Sequence, residues 1–228
     1  MKYVVGDIHG EFDKLRRLVD FINFQDNAAE FIFIGDYLDK GPEVKKTLDF
    51  LLELKSSKPS VFLMGNHEYQ WLNLLSERER LSDYLLKYGG RNTIHSIGEF
   101  EDVFEARDLL LSDYSELLNN LELYWMDEEY FVCHSGLSPE KYKMNLEVLA
   151  PEEFLFNRYD FISCTEKYKG RTVIFGHTGF YSPFYDGIKI GIDTSACYLK
   201  EQPLTAFCLD NRTFFDSKKE QYELLSLS

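Results

Sequence analysis

Short apolar runs alternate along this chain with segments of helical apolar spacing, and five of the runs stop abruptly at glycine or histidine. Lys2-Tyr3-Val4-Val5 runs into Gly6-Asp7-Ile8-His9-Gly10, and Phe31-Ile32-Phe33-Ile34 into Gly35-Asp36-Tyr37-Leu38-Asp39-Lys40-Gly41-Pro42. Val61-Phe62-Leu63-Met64 meets Gly65-Asn66-His67-Glu68, Phe131-Val132-Cys133 meets His134-Ser135-Gly136, and Thr172-Val173-Ile174-Phe175 meets Gly176-His177-Thr178. Such runs read as buried strands. Between the first two, Leu15, Leu18, Val19 and Ile22 recur at helical spacing, and between the second and third Val44, Leu48, Leu51 and Leu52 do the same, with Pro42 where a helix could begin. Two βαβ units follow, so this part of the sheet is expected to be parallel.

From residue 69 to residue 123 the apolar spacing is helical (Trp71, Leu74, Leu75, Leu81, Leu85) and is interrupted by Gly89-Gly90. This predicts a helical cap beside the strand ends. Pro139 to Lys169 reads as helix and loop, after which the pattern turns to β over Ile188–Ile192, Leu204–Leu209 and Thr213–Phe215, with Asp210-Asn211 as a turn. The expected organisation is one α/β domain over residues 1–217, with the cap at about 69–123 and a partly frayed polar tail over 218–228. There are no internal repeats.

The polar residues at the strand ends carry the chemistry. In an open α/β sheet, ligands bind beyond the carboxyl ends of the strands. Five strands delivering Asp7, His9, Asp36, Asn66, His134 and His177 to one edge would assemble a concentrated metal site. One such residue alone would more simply be a satisfied polar group of the core; six in register are not explained that way. A mixed nitrogen and oxygen donor set suits Mn, Fe, Zn or Co better than Ca.

Composition narrows the partners. With 228 residues, 44% hydrophobic, 19 Phe and 15 Tyr, the chain has ample material for a core. A formal net charge of -14 disfavours nucleic acid, whose binding depends on Lys and Arg neutralising phosphates. Cys133, Cys164, Cys197 and Cys208 show no C-x-x-C spacing; Cys133 and Cys208 lie in strand-like runs and read as small core residues. The few residues ahead of Gly6-Asp7 are too short for a signal-peptide core, and no run approaches the ~20 apolar residues of a membrane helix. A cytoplasmic protein without membrane contact is expected; the oligomeric state is open.

Taken together, the five motifs resemble those of the phosphoprotein phosphatase family within the calcineurin-like metallophosphoesterases, and their order, spacing and compact length look most like its small bacterial and phage branch, the lambda-phosphatase type. Gly89-Gly90, Phe156-Asn157-Arg158 and Ile192-Asp193-Thr194-Ser195-Ala196 extend the resemblance over roughly residues 3 to 210. It implies sandwich-like mixed sheets, with βαβαβ units flanked by helices. It also implies two divalent ions, Mn²⁺ foremost, with Fe, Zn, Co or Ni as alternatives: one held by Asp7, His9 and Asp36, the other by Asp36, Asn66, His134 and His177. A hydroxide shared by the ions would attack phosphorus in line. His67 would protonate the leaving oxygen, Asp39 would hold the His67 imidazole, and Lys40 and Arg158 would bind the phosphate. The family usually has Arg where Lys40 stands, so one bidentate fork is replaced by a point charge. Ser135 replaces a common Gly, Glu68 is assigned only a supporting part, and His95 belongs to no motif.

The resemblance implies a phosphomonoesterase acting on phosphorylated Ser or Thr, and also Tyr, of proteins. The alternatives are a symmetrical bis(5′-nucleosyl)-tetraphosphatase or small-molecule phosphatase on the same motifs, and a catalytically inactive binding protein. Asp39 favours the protein phosphatase, because the nucleotide branch tends to lack that acid. A nuclease-type phosphodiesterase is disfavoured by the acidic charge.

Overall fold

The computed structural model describes residues 1–73, 84–85, 87–100 and 103–224. The parallel βαβ pattern is present: strands β1 (Lys2–Val5), β2 (Glu30–Phe33) and β3 (Ser60–Phe62) pair in parallel, joined by helices α1 (Phe12–Gln25) and α2 (Val44–Ser57). The apolar stripes of these helices are the buried ones, Leu15, Leu18, Val19 and Ile22 on α1 and Val44, Leu48 and Leu51 on α2. Pro42 lies just ahead of the Glu43 N-cap, so α2 begins two residues later than the proline suggests.

The strand ends do not belong to one sheet. β1–β3 continue through β9 (Thr205–Cys208), β10 (Thr213–Asp216) and β11 (Gln221–Glu223) in the order β11-β10-β9-β1-β2-β3. A second mixed sheet contains β4 (Tyr124–Met126), β5 (Tyr130–Cys133), β6 (Thr172–Phe175), β7 (Phe184–Tyr185) and β8 (Lys189–Gly191), in the order β4-β5-β6-β8-β7. Alternation along the strands explains the layering, since successive side chains point to opposite faces. Val4, Ile32 and Phe207 of one sheet meet Val132, Ile174 and Ile190 of the other between the sheets, whereas Tyr3, Val5, Phe31 and Phe33 face α1 and α2. On the far side, Phe131, Cys133, Val173 and Phe175 pack on Phe154, Phe161 and Tyr168. The layers are therefore helix, sheet, sheet, helix.

The segment expected to be a cap is helical where described: α3 (Asn66–Asn73), α4 (Gly90–Ile97), α5 (Val103–Asp113) and α6 (Ser115–Leu118). Trp71 is fully buried and Leu85 packs against the core, while Leu74, Leu75 and Leu81 of the expected stripe lie outside the described residues. Short helices α7 (Glu152–Leu155) and α8 (Tyr159–Ser163) follow β5. Of the expected tail, residues 225–228 lie outside the described residues. Residues 221–223 form the edge strand β11 against β10 and Leu224 is buried, because Tyr222 stacks on Phe214 at 5.4 Å. Cys133 and Cys208 are buried free thiols, and His95 is exposed on α4. Among the described residues no helix is long and apolar enough to cross a membrane.

The inter-sheet core depends on Phe207, which is fully buried with its ring 4.9 Å from Phe214 and 6.3 Å from Tyr130. Phe207→Ala is expected to cost about 3–5 kcal/mol in urea unfolding, the usual result of emptying an aromatic core position. A loss below about 1 kcal/mol would mean that the sheets close over the gap.

Candidate active site

Several strands that enter the sandwich in the parallel sense end in loops with left-handed backbone. Six of the nine described non-glycine residues with positive φ lie in these loops: His9, Asp36, Asp39, Lys40, His177 and Ser195. Such conformations cost roughly 1–3 kcal/mol each and persist only where surrounding contacts over-determine them. Here the contacts are clear. The backbone N–H groups of Ile8 and His9 donate to the Asp36 carbonyl (3.2 and 2.7 Å), tying the β1 and β2 loops together. Gly35, at φ +109°, lets the β2 loop close on the β3 loop, since a Cβ there would lie 2.5 Å from the Gly65 nitrogen.

Glu68 is the lock on this arrangement. Its buried carboxylate accepts four backbone N–H groups, from Asp36 (2.8 Å) and Gly65 (3.0 Å) on one oxygen and from Tyr37 (2.9 Å) and Leu38 (3.0 Å) on the other. It thereby holds the backbone that carries Asp36 and Asp39.

Asp36 lies at the centre. One carboxylate oxygen is 3.1 Å from His9 Nε2 and 4.0 Å from His67 Nε2; the other is 3.5 Å from His134 Nε2 and accepts the His67 backbone N–H at 3.1 Å. Two groups of donors thus share Asp36: His9, Asp36 and His67, and Asp36, His134 and His177, each with its atoms within 4.8 Å of one another. Asn66 joins the second group, its Oδ1 3.0 Å from His134 Nε2 and 2.7 Å from His177 Nδ1. Asp7 lies outside the first compact group. One of its oxygens accepts the His177 backbone N–H at 3.0 Å, and the other is buried without a partner.

The chemistry of this set fits cations. Burial pushes the His134 imidazole down to about 4 and the His177 imidazole down to about 2, and it lowers His9 as well, so all three favour the neutral form that binds metal. His9 Nδ1 donates to the Leu38 carbonyl (2.7 Å) and His134 Nδ1 to the Ile34 carbonyl (3.0 Å), which leaves each Nε2 lone pair aimed at Asp36. At His134 acceptor then faces acceptor, whereas His9 Nε2 has the Lys40 ammonium 2.7 Å away, and one Asp7 oxygen is left unpartnered. Burial, followed by the neighbouring Asp193 and Asp36 carboxylates, pushes Asp7 well up. Cations bound by the two donor groups would satisfy these atoms. Burial acts to raise Asp36 too, yet positive charge on the surrounding His134, His67 or His9 rings would outweigh it, and the carboxyl is held well below the usual carboxylate range.

Beside this set stands a second buried pair. His67 Nδ1 donates to Asp39 Oδ2 at 2.6 Å, and Nε2 is left toward the cleft. Burial opposes the imidazolium, but Asp36 and Asp39 outweigh it and raise the His67 pKa. Burial likewise opposes the Asp39 carboxylate and is outweighed by His67, Thr93 and Tyr84. The partners of Asp39 come from the cap: Trp71 Nε1 (2.9 Å) and Thr93 Oγ1 (2.5 Å) donate to Oδ1, and the Tyr84 hydroxyl donates to Oδ2 while lying 2.9 Å from His67 Nδ1. No spacing rule singles out Trp71, Tyr84 or Thr93, because their contact is made only when the cap folds back. Gly89 marks that junction: at φ +83° it lies against the Lys40 backbone, where a Cβ would come within 2.8 Å.

Lys40 and Arg158 both line the cleft, a space of about 550 Å³ shared with Asp36, Asn66, His67 and His177. Burial opposes the Lys40 charge, but Asp36 and Tyr198 more than offset it and keep the ammonium protonated. Its Nζ is 2.7 Å from His9 Nε2 and 4.9 Å from the Tyr198 ring centre. Arg158 is exposed at the start of α8. Ser135 fits where glycine was anticipated, its hydroxyl donating to the Phe154 carbonyl (2.8 Å) and accepting the Asn157 N–H (2.9 Å). Asp193, buried at the end of β8 with Ser195 N–H on its Oδ1 (2.8 Å), adds a carboxylate near Asp7 that spacing alone did not assign to the site.

Comparison with known proteins is decisive at the family level: residues 3–212 match the model of the calcineurin-like phosphoesterases. The chain belongs to that family. Its members are phosphoesterases that use a pair of metal ions, in keeping with two donor groups sharing Asp36. Solved structures share the fold. A putative diadenosine tetraphosphatase is 21% identical with a TM-score of 0.63, over 94% of this chain and 91% of that one. A cold-active protein-tyrosine phosphatase from a psychrophilic Shewanella species is 16% identical with a TM-score of 0.68, over 98% and 80%. A protein serine/threonine phosphatase from Saccharomyces cerevisiae is 15% identical with a TM-score of 0.53, over 97% and 79%.

The four bonds to Glu68 generate a prediction. Glu68→Gln turns an amide N–H₂ toward two N–H donors, so it is expected to destabilise the protein by about 1–3 kcal/mol in urea unfolding. It should also weaken Mn²⁺ binding in calorimetry, because the Asp36 backbone loses its anchor. Unchanged stability and unchanged Mn²⁺ affinity would remove Glu68 from this supporting part.

Proposed function

We propose that this phosphoesterase is a metal-dependent phosphomonoesterase of the phosphoprotein-phosphatase type, acting on phosphorylated protein side chains. The observation that carries the reading is the buried His67–Asp39 pair, 2.6 Å apart, set beside donors grouped around Asp36. One ion would be held by Asp7, His9 and Asp36, and the second by Asp36, Asn66, His134 and His177, with Mn²⁺ the expected metal. The ions, when bound, supply positive charge for the phosphoryl oxygens and lower the pKa of the attacking water.

The remaining work falls to side chains. Lys40 and Arg158 orient the phosphate from the cleft walls. Asp39 accepts the Nδ1 proton of His67, which fixes the ring and leaves the Nε2 proton for the departing oxygen. The raised pKa of His67 keeps that proton available toward neutral pH. Such an acid helps an alkoxide leaving group most and a phenoxide less, so it supports a monoester of Ser or Thr and remains compatible with Tyr.

A second reading is hydrolysis of bis-nucleoside tetraphosphates, supported by the near end-to-end match to a putative diadenosine tetraphosphatase. Asp39 weighs against it, through the resemblance drawn from the motifs.

Chelator treatment is expected to abolish phosphatase activity and Mn²⁺ to restore it, with Ca²⁺ weaker or ineffective; full activity after verified metal removal would sink the reading. Asp36→Asn should weaken both metal-binding events in a calorimetric titration, because one carboxylate serves both groups. His67→Ala should retain metal binding and lower kcat by roughly 10²–10⁴ on a phosphoserine peptide. The loss should be smaller on p-nitrophenyl phosphate, whose leaving group needs little protonation. Equal losses on the two substrates would argue against His67 as the acid.

A further inference from the structure

Among the described residues six aromatic side chains are exposed, and three of them, Tyr88, Phe156 and Tyr198, line the cleft described above. Single exposed aromatics are ordinary, but convergence from three separate segments on one opening is not. Tyr88 comes from the cap just before α4, Phe156 from the turn between α7 and α8, and Tyr198 from the loop after β8.

Their placement relative to the reacting centre is informative. Tyr88 stacks on Tyr84, ring centres 5.5 Å apart and planes at 29°, and Tyr84 in turn bonds Asp39 and touches His67 Nδ1. Tyr88 therefore extends the cleft wall on which His67 lies. Phe156 stands edge-on to His177, 6.5 Å away at 85°. The Tyr198 ring is already engaged by the Lys40 ammonium. A space of about 550 Å³ is far larger than a phosphate and falls in the range that holds a drug-sized ligand.

We infer that the cleft selects phosphate esters whose leaving group carries a planar aromatic ring, packed on Tyr88 and Phe156. This rests on the phosphoesterase reading above and names its substrate class. The ring chemistry is common to a phosphotyrosine side chain and a nucleoside. The polar walls bind the phosphate of any ester, whereas the apolar faces reward only a flat, polarisable group, by stacking or edge contact. No bond beyond the established ester cleavage is formed or broken.

The test uses phosphonates, whose P–C bond is inert, so binding is read without turnover. Mn²⁺-loaded wild-type protein is expected to bind phenylphosphonate roughly 3- to 10-fold tighter than methylphosphonate in calorimetry, the range of one aromatic contact. Tyr88→Ala combined with Phe156→Ala should close that gap, and Tyr88→Phe alone should keep it, since the stacking face and not the hydroxyl is used. Equal wild-type affinities for the two phosphonates, or a gap that survives the double substitution, overturns the inference. An adenosine phosphonate and a peptide carrying phosphonomethylphenylalanine then separate the two sources, and the one whose extra affinity disappears in the double variant names the ligand. Hydrolysis of glycerol 2-phosphate, which has no ring, tests the phosphoesterase reading by itself: activity there without a ring preference sinks only the inference.

Discussion

Five carboxyl groups are buried at one rim of this protein, and the surrounding structure is arranged around the cost of keeping them there. Asp7, Asp36, Asp39, Glu68 and Asp193 are each at most 6% exposed. An isolated buried carboxylate is too costly to retain, so each must be neutralised or bonded. The solutions differ. Glu68 has four backbone N–H donors, and Asp39 has His67, Tyr84, Trp71 and Thr93. Asp36 lies among three imidazoles, and Asp7 keeps one oxygen unpaired beside Asp193. The groups compensated by protein are those that hold other residues. Those left facing lone pairs are the ones suited to cations.

Strain follows from the same demand. To bring side chains from two sheets onto one locus, the loops must turn back soon after the strand ends. His9, Asp36, Asp39, Lys40 and His177 adopt left-handed backbone as a result. The energy stored in these turns is offset by the core below: the inter-sheet layer around Phe207 and the helix-facing layer around Tyr3 and Phe33. Rigid strands thus deliver ligands at positions that a free loop could not maintain.

The cap reaches the His67–Asp39 pair and the cleft opening through neighbouring residues. Tyr84 and Thr93 reach inward to Asp39, while Tyr88 turns its face to the opening. Movement of the cap would shift the surroundings of the His67–Asp39 pair and the Tyr88 wall of the cleft together, because one stacked pair of tyrosines belongs to both.

The strand, helix and strand-end pattern was readable from residue order because it is local. Period-2 and period-3.6 spacing follow from backbone geometry, and Asp7, His9, Asp36, Asn66, His134 and His177 each terminate a recognisable apolar run. The half-exposed β4, the two-residue β7 and the edge strand β11 carried no such signal, since short or exposed strands lack a continuous apolar face. Sequence also could not assign the strands to two sheets, because that depends on which faces meet, as Val4 and Ile174 do across the sandwich. Nor could it place Tyr84, Thr93 and Trp71 on Asp39, or bring Tyr88, Phe156 and Tyr198 to one cleft. Those contacts join residues 32 to 110 positions apart in the chain, and only the packing of the cap and loops on the finished sandwich decides them.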